Sequence, residues 1–230
     1  MTGDVLDRLA AAGVVPVVEI DDAESAVPLA RALVEGGLPA VEVTFRTAAA
    51  PAAIERIAAE VPEIVPGAGT LLTPAHVRQA IDAGAAFGVS PGSSPELFDA
   101  VAGWPFVPGA VTPVEIMACL AAGHDVVKFF PAGTYGGLAA VRALAGPFGT
   151  SGVRFLPTGG ITAQSAPEYL AHPAVFAVGG TWVAPRADVA AGNWAAITER
   201  ARAAAGLRAS EAGAGAPAAE PRAATTRQED

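Results

Sequence analysis

Val126-Val127-Lys128-Phe129-Phe130 is a continuous apolar run holding one charge, flanked by Ala-rich helical patterns at 113–122 and 137–145. A short β-type run set between helices, without in–out alternation, reads as a parallel strand buried on both faces. The same unit recurs in both directions along the chain. Strands are expected at 14–19, 40–44, 64–67, 87–90, 106–107, 126–129, 154–157 and 175–178. Helices are expected at 22–35, 49–60, 74–83, 94–102, 113–122, 137–145 and 163–170, with a last one over about 188–205. Segment 5–11 reads as an additional helix ahead of the first strand. Asp21/Asp22, Thr73, Thr112 and Thr162 offer N-cap oxygens, and Pro74 and Pro113 suit a first helical turn, where no N–H partner is needed. Gly36-Gly37, Gly84 and Gly123 fall just past helix ends.

Eight strand–helix units within one stretch of roughly 200 residues define an α/β fold of the (β/α)8 TIM-barrel type with an extra N-terminal helix. A doubly wound open sheet is the alternative, but no Gly-x-Gly-x-x-Gly follows the first strand. The barrel domain is expected over 1–206. From 207 to 230 the chain is rich in Ala, Gly, Pro, Glu and Thr with almost no large apolar residue, and reads as a disordered tail.

The chain has 230 residues, 52% of them hydrophobic and 16% charged, which excludes a wholly disordered protein. A net charge of −9 without a basic cluster argues against nucleic acid and anionic membrane as partners. Cys119 is the single cysteine, so no disulfide framework is possible, and it reads as a core residue on a helix. The opening Met1-Thr2-Gly3-Asp4 lacks the basic and apolar regions of a secretory signal, and no apolar run reaches ~18 residues. A cytoplasmic location is expected.

Of the 14 basic residues, 13 are Arg and one is Lys128. Arginine cannot release its proton near neutral pH, whereas a desolvated lysine can. A lone lysine inside an apolar strand is therefore a nucleophile candidate; the plainer alternative is a strand-end lysine reaching to solvent. In a barrel, chemistry sits at the C-terminal ends of the strands. The unusual residues fall there. Glu42 and Arg46 belong to the second strand and its loop, Gly67-Ala68-Gly69-Thr70 to the third, and Ser90-Pro91-Gly92 to the fourth. Pro157-Thr158-Gly159-Gly160 ends the seventh and Gly179-Gly180-Thr181 the eighth. Gly-rich turns after the seventh and eighth strands make a phosphate cradle, with Thr181 adding a hydroxyl. Glu42 reads as a proton shuttle or, alternatively, as a structural ion pair with Arg46 four residues on. Arg46 suits two-pronged contact with a carboxylate. Together these describe Schiff-base chemistry on a small phosphorylated keto acid. His76, His124 and His172 show no metal-ligand spacing and read as surface or cap residues, so neither a metal nor a cofactor is expected.

Glu42-Val43-Thr44-Phe45-Arg46-Thr47, Gly67-Ala68-Gly69-Thr70, Ser90-Pro91-Gly92, Lys128-Phe129-Phe130-Pro131-Ala132 and Pro157-Thr158-Gly159-Gly160-Ile161 resemble the class I KDPG/KHG aldolases, over about 6–202. The resemblance implies Lys128 as Schiff-base lysine and Glu42 as general acid/base. It implies Arg46 and Thr70 at the pyruvate carboxylate, and Pro91 and Phe130 as the wall around the reacting carbons. Thr158 then touches the substrate chain, while Gly159, Gly160, Gly179, Gly180 and Thr181 hold the phosphate. Many members carry Ser where Thr181 stands, and Gly133-Thr134-Tyr135 departs from the Pro-Ala-Glu continuation of the family.

The implied reaction is reversible, metal-free cleavage of 2-keto-3-deoxy-6-phosphogluconate to pyruvate and glyceraldehyde 3-phosphate, by a homotrimer of the Entner–Doudoroff pathway. The KHG half of the family name adds cleavage of 4-hydroxy-2-oxoglutarate to pyruvate and glyoxylate. Alternatives are the galactonate-series substrate, a phosphosugar isomerase or epimerase using Glu42 as base, and a non-enzymatic phosphosugar sensor.

Overall fold

A computed structural model describes residues 2–212 of the protein. Its strands are β1 (Val14–Val18), β2 (Ala40–Thr44), β3 (Val65–Gly69), β4 (Phe87–Val89), β5 (Phe106–Val107), β6 (Val126–Phe129), β7 (Arg154–Pro157) and β8 (Val178–Gly180). The helices are α1 (Thr2–Ala12), α2 (Ala26–Glu35), α3 (Ala50–Glu60), α4 (Pro74–Asp82), α5 (Pro95–Ala100), α6 (Pro113–Ala121), α7 (Gly137–Phe148), α8 (Ala166–Leu170), α9 (Arg186–Ala191) and α10 (Trp194–Ala212). It is an α/β fold in which every strand pairing is parallel.

Six strands form one sheet in the order β5-β4-β3-β2-β1-β8, and β6 and β7 form a second. Isolated parallel bridges join the two sheets on both sides, Gly109 with Lys128 and Thr158 with Gly179. Two apolar layers hold the strands. One lies between strands and helices, with Leu29, Leu33, Ile54, Ile57 and Phe155 among its fully buried members. The other is enclosed by the strands and contains Val15, Ala40, Val65, Phe87, Val107, Val126 and Leu156. Leu9 of α1 is fully buried in this inner cluster, next to residues that begin the strands. Helix α1 thus closes the N-terminal ends of the strands, and truncating Leu9 would cost about 2–5 kcal/mol.

Local chemistry explains most helix starts. Thr73, Ser94 and Thr112 accept hydrogen bonds from the backbone N–H three residues on, each followed by a proline in the first turn. Thr112 completes a capping box, because Glu115 reaches back to accept from the N–H of Thr112 at 2.9 Å. Asp22 instead starts a short 3₁₀ turn, Ala23–Ser25, that leads into α2. Thr162 does not cap α8: its hydroxyl accepts from the N–H of Ser165, closing the turn before the helix, and α8 begins at Ala166.

Most element boundaries shift by a few residues from the sequence reading, and three differences change the layout. The eighth strand was expected at 175–178 but ladders to β1 only from Val178 to Gly180, while Val175 makes an isolated bridge to Phe155. The expected helix over 188–205 is two helices, broken where Gly192 turns left-handed at φ +68° and the Asn193 amide donates to Asp188 at 2.7 Å. The second of these, α10, runs on to Ala212, past the expected domain boundary at 206. The rest of the expected tail, 213–230, lies outside the described residues. No helix among the described residues is long and apolar enough to cross a membrane.

Candidate active site

The C-terminal ends of the strands converge on a cavity of about 90 Å³ lined by Val17, Glu42, Thr44, Arg46, Thr70, Lys128, Phe130, Thr158, Gly159, Gly160, Ile161, Gly180 and Thr181. A roomier hollow of about 580 Å³ lies at the opposite ends of the strands, beside Trp104, Phe106, His124 and Arg154. Volume favours the second hollow, but the buried lysine and carboxylate line only the first, so chemistry decides for the smaller cavity.

Strand register builds the centre. Glu42 sits in β2 between Val17 of β1 and Gly67 of β3, and it is fully buried. Lys128 sits in β6, 4% exposed, with its N–H donating to the Pro108 carbonyl at 2.7 Å and its carbonyl accepting from the Ala110 N–H at 3.0 Å. Both side chains point inward and meet: Lys128 Nζ lies 3.0 Å from Glu42 Oε1. Nζ also lies 5.4 Å from the centroid of the Phe130 ring. The ion pair expected as an alternative, Glu42 with Arg46, is replaced by this one, because Arg46 turns to Glu19 instead, at 2.8 Å.

Glu42 Oε2 is buried without a hydrogen-bond partner, an exception among buried carboxylate oxygens. Such an atom lining a cavity is an acceptor held ready for a ligand hydroxyl or a water. Gly69 makes room for the carboxylate: a Cβ there would lie 2.7 Å from both Cγ and Cδ of Glu42, and closer still to Oε1. At the end of β3, Thr70 has φ +61°, a left-handed conformation that costs a β-branched residue free energy, and this turns it to the cavity.

Opposite these groups, the Gly159-Gly160 turn has φ of +91° and +78°, which bends the backbone after β7 towards the cavity. Thr158 stands over Gly179, where any Cβ would overlap its hydroxyl, and the Trp182 ring occupies the place a side chain at Gly180 would need. No lysine or arginine lies within 157–161 or 178–183. At the outer rim Glu19 bridges two guanidiniums, accepting from Arg46 at 2.8 Å through Oε1 and from Arg186 at 3.0 Å through Oε2. Arg186 also grips Asp21 at 2.8 and 2.6 Å, and that hydrogen bond holds the Asp21 carboxyl below the usual carboxylate range.

Of the residues singled out by sequence, Glu42, Arg46, Thr70, Lys128, Phe130, Thr158, Gly159, Gly160, Gly180 and Thr181 line one cavity. Pro91 and Gly179 do not. Pro91 packs its carbonyl against Gly109, the residue bridged to Lys128, and Gly179 lies beneath Thr158. The sequence reading missed Val17, Thr44 and Ile161 as lining residues. The period-two alternation Glu42, Thr44, Arg46 would have revealed Thr44. His124 is not a surface or cap residue but is half-buried between the rings of Phe98 and Phe106, and burial lowers its pKa. Cys119 is fully buried, and desolvation pushes its thiol up to about 11.

A parallel α/β frame that carries a buried lysine–carboxylate pair at the C-terminal ends of its strands defines a protein built for amine-based carbonyl chemistry. The family model of KDPG and KHG aldolases matches residues 5–200, and the chain belongs to that family. The 2-dehydro-3-deoxy-phosphogluconate aldolase of Treponema pallidum is 45% identical over 196 residues, covering 84% of this chain and 92% of that one. The KHG/KDPG aldolase of Escherichia coli K12 is 46% identical over 191 residues, covering 82% and 89%. Among solved structures, the KDPG aldolase of Legionella pneumophila, with pyruvate captured as a covalent carbinolamine, superposes with a TM-score of 0.83 at 40% identity, covering 89% and 98%. That of Zymomonas mobilis with 3-phosphoglycerate gives 0.82 at 42% identity, covering 90% and 97%.

Proposed function

We propose that the protein is a class I aldolase that reversibly cleaves 2-keto-3-deoxy-6-phosphogluconate to pyruvate and glyceraldehyde 3-phosphate, and 4-hydroxy-2-oxoglutarate to pyruvate and glyoxylate. The observation that carries this reading is the 3.0 Å contact of Lys128 Nζ with a Glu42 carboxylate whose second oxygen has no partner. The relatives named for the gluconate substrate, at 43–46% identity, support the gluconate series over the galactonate one. Pyruvate release from the two C4 epimers separates the series.

The ammonium of Lys128 passes its proton to Glu42 Oε1, and the free amine attacks the C2 carbonyl to form a C–N bond. A proton shifts from nitrogen to the resulting oxygen, and Glu42 then returns its own proton to that hydroxyl, which leaves as water to give a cationic imine and an ionised Glu42. Glu42 takes the C4 hydroxyl proton through a water at Oε2, the C3–C4 bond breaks, and its electron pair flows into the imine to leave an enamine. The aldehyde departs, Glu42 returns a proton to C3, and water hydrolyses the imine to free pyruvate and Lys128. Arg46 and Thr70 hold the carboxylate, and Phe130 stands beside the reacting carbons, while Pro91 acts only from behind, against Gly109. Thr158 touches the chain, while Gly159, Gly160, Gly180 and Thr181 receive the phosphate on backbone N–H groups and one hydroxyl, with Gly179 beneath Thr158.

In this reading the two sheets are arcs of one (β/α)8 barrel, which the bridges on both sides support, with α1 as its additional helix. The catalytic unit runs from α1 through α10, and the assembly is a homotrimer acting in the cytoplasm. Trapping with pyruvate and borohydride tests the chemistry, since Lys128 and the α-amine are the primary amines of the chain. The expected adduct sits on Lys128, and Lys128→Arg removes both adduct and cleavage because a guanidinium is not an amine nucleophile. A folded protein inert to this treatment returns the isomerase reading to the front.

A further inference from the structure

At the mouth of the cavity, four charges from two loops and the start of α9 form one chain: Arg46 to Glu19, Glu19 to Arg186, and Arg186 to Asp21. Glu19 follows the last residue of β1 and, by the pleat, shares the inward face of Val17, which lines the cavity. Its two oxygens are each used once, one per guanidinium, and its side chain is 22% exposed against 44% for Arg46. Arg46 has no other hydrogen bond or ion pair among the described residues. A half-exposed arginine with one anchor has its direction set by that anchor, because a free arginine side chain samples many rotamers.

We propose that Glu19 is a positioning residue for Arg46, and that Arg186 fixes Glu19 in turn by pinning its second oxygen. The inference rests on the reading of Arg46 as the anchor of the keto-acid carboxylate. With Nη1 engaged by Glu19, the remaining guanidinium edge is presented to the cavity already oriented, so the incoming carboxylate meets a fixed fork. Charge is a separate matter. The four groups sum to zero, so Glu19 also cancels part of the field that attracts an anionic substrate, and removing it has two opposed effects. Reach and charge can be separated by substitution. Glu19→Asp keeps the charge but is one methylene short of spanning both arginines, whereas Glu19→Gln keeps the length and one acceptor but loses the charge.

The test is the pyruvate concentration that gives half-maximal borohydride trapping at Lys128, measured alongside KM and kcat for aldol cleavage. Glu19→Asp is expected to raise the half-saturating concentration about five-fold, the scale of one partly exposed ion pair, with kcat nearly unchanged. Glu19→Gln is expected to raise it about two-fold, since Arg46 keeps an acceptor while the Arg186 brace is weakened. If charge alone matters, Glu19→Asp matches the parent and Glu19→Gln binds pyruvate more tightly; either result overturns the proposal. So does a fall in melting temperature and active fraction with unchanged half-saturation, which marks a purely structural role. Should Glu19→Asp not fold, the sign of the Glu19→Gln change decides. A parent protein that is not trapped at all overturns the aldolase reading itself, a different outcome from a trapped parent with indifferent Glu19 variants.

Discussion

Gly69→Ala adds one methyl group, yet it should disable proton transfer. Gly69 is in β3 with an ordinary strand conformation, so alanine fits the backbone without strain. The space is what fails: the new Cβ would lie 2.7 Å from Cγ and Cδ of Glu42 and nearer still to Oε1. Contacts at that distance do not persist, so the carboxylate must swing away from Lys128 or β2 and β3 must part. Glu42 is fully buried, and moving it leaves two charges poorly paired in an apolar setting. Overpacking together with partial loss of a buried ion pair comes to on the order of 3 kcal/mol. For a chain of this size that corresponds to a fall in Tm of about 6–12 °C. The chemical loss is larger, because a misplaced general acid/base forfeits a factor of about 10² or more in kcat. The assay compares aldol cleavage and C3 proton exchange with borohydride trapping of pyruvate. Cleavage and exchange should collapse together, while trapping slows far less, since Lys128 remains and can lose its proton to water. A variant that cleaves within three-fold of the parent and melts within ~1 °C of it would refute the claim that this glycine exists to seat the carboxylate.

Thr70→Gly removes the penalty of φ +61° and should raise Tm by ~2 °C while increasing KM through loss of the hydroxyl; a lower Tm would show that the conformation carries no strain. Gly160→Ala puts a Cβ at φ +78° and 3.3 Å from the Gly133 Cα, so KM for the phosphorylated substrate should rise about ten-fold. Unphosphorylated 4-hydroxy-2-oxoglutarate should be little affected, and equal effects on both substrates would count against a backbone cradle. With its thiol pushed up to about 11 by burial, Cys119 has only ~0.1% thiolate at pH 8 and should resist thiol reagents until the chain unfolds. Rapid labelling of the native protein would contradict the buried environment.

Strands β2, β5, β6 and β7 match the sequence reading residue for residue, because their apolar runs end where helical patterns and turn residues begin. Glycine defeats the same reading elsewhere. Gly69 and Gly179-Gly180 look like punctuation but lie within β3 and β8. Their missing side chains leave room for the Glu42 carboxylate, the Thr158 hydroxyl and the Trp182 ring. That is a tertiary reason which no local propensity encodes. The lysine was legible from composition and the carboxylate from its apolar surroundings, whereas their 3.0 Å meeting across 86 residues of chain depends on strand register. Glu19 carried no signal: an acid near the end of a strand beside Asp21 and Asp22 looks like solvated surface until Arg46 and Arg186 arrive from distant parts of the chain.

The division of the strands into a six-membered and a two-membered sheet has a dynamic consequence. Lys128 and Thr158 ride together on the β6–β7 leaf, whereas Glu42 and Thr70 belong to the larger sheet. The seams between them are isolated bridges rather than ladders, Gly109 with Lys128 on one side and Thr158 with Gly179 and Phe155 with Val175 on the other. Breathing of the leaf about these seams therefore alters the lysine–carboxylate distance while leaving lysine and Thr158 fixed to one another. Amides such as those of Lys128 and Ala110, which stitch the first seam, are the positions where hydrogen exchange would register that opening, and a ligand spanning both leaves would slow it.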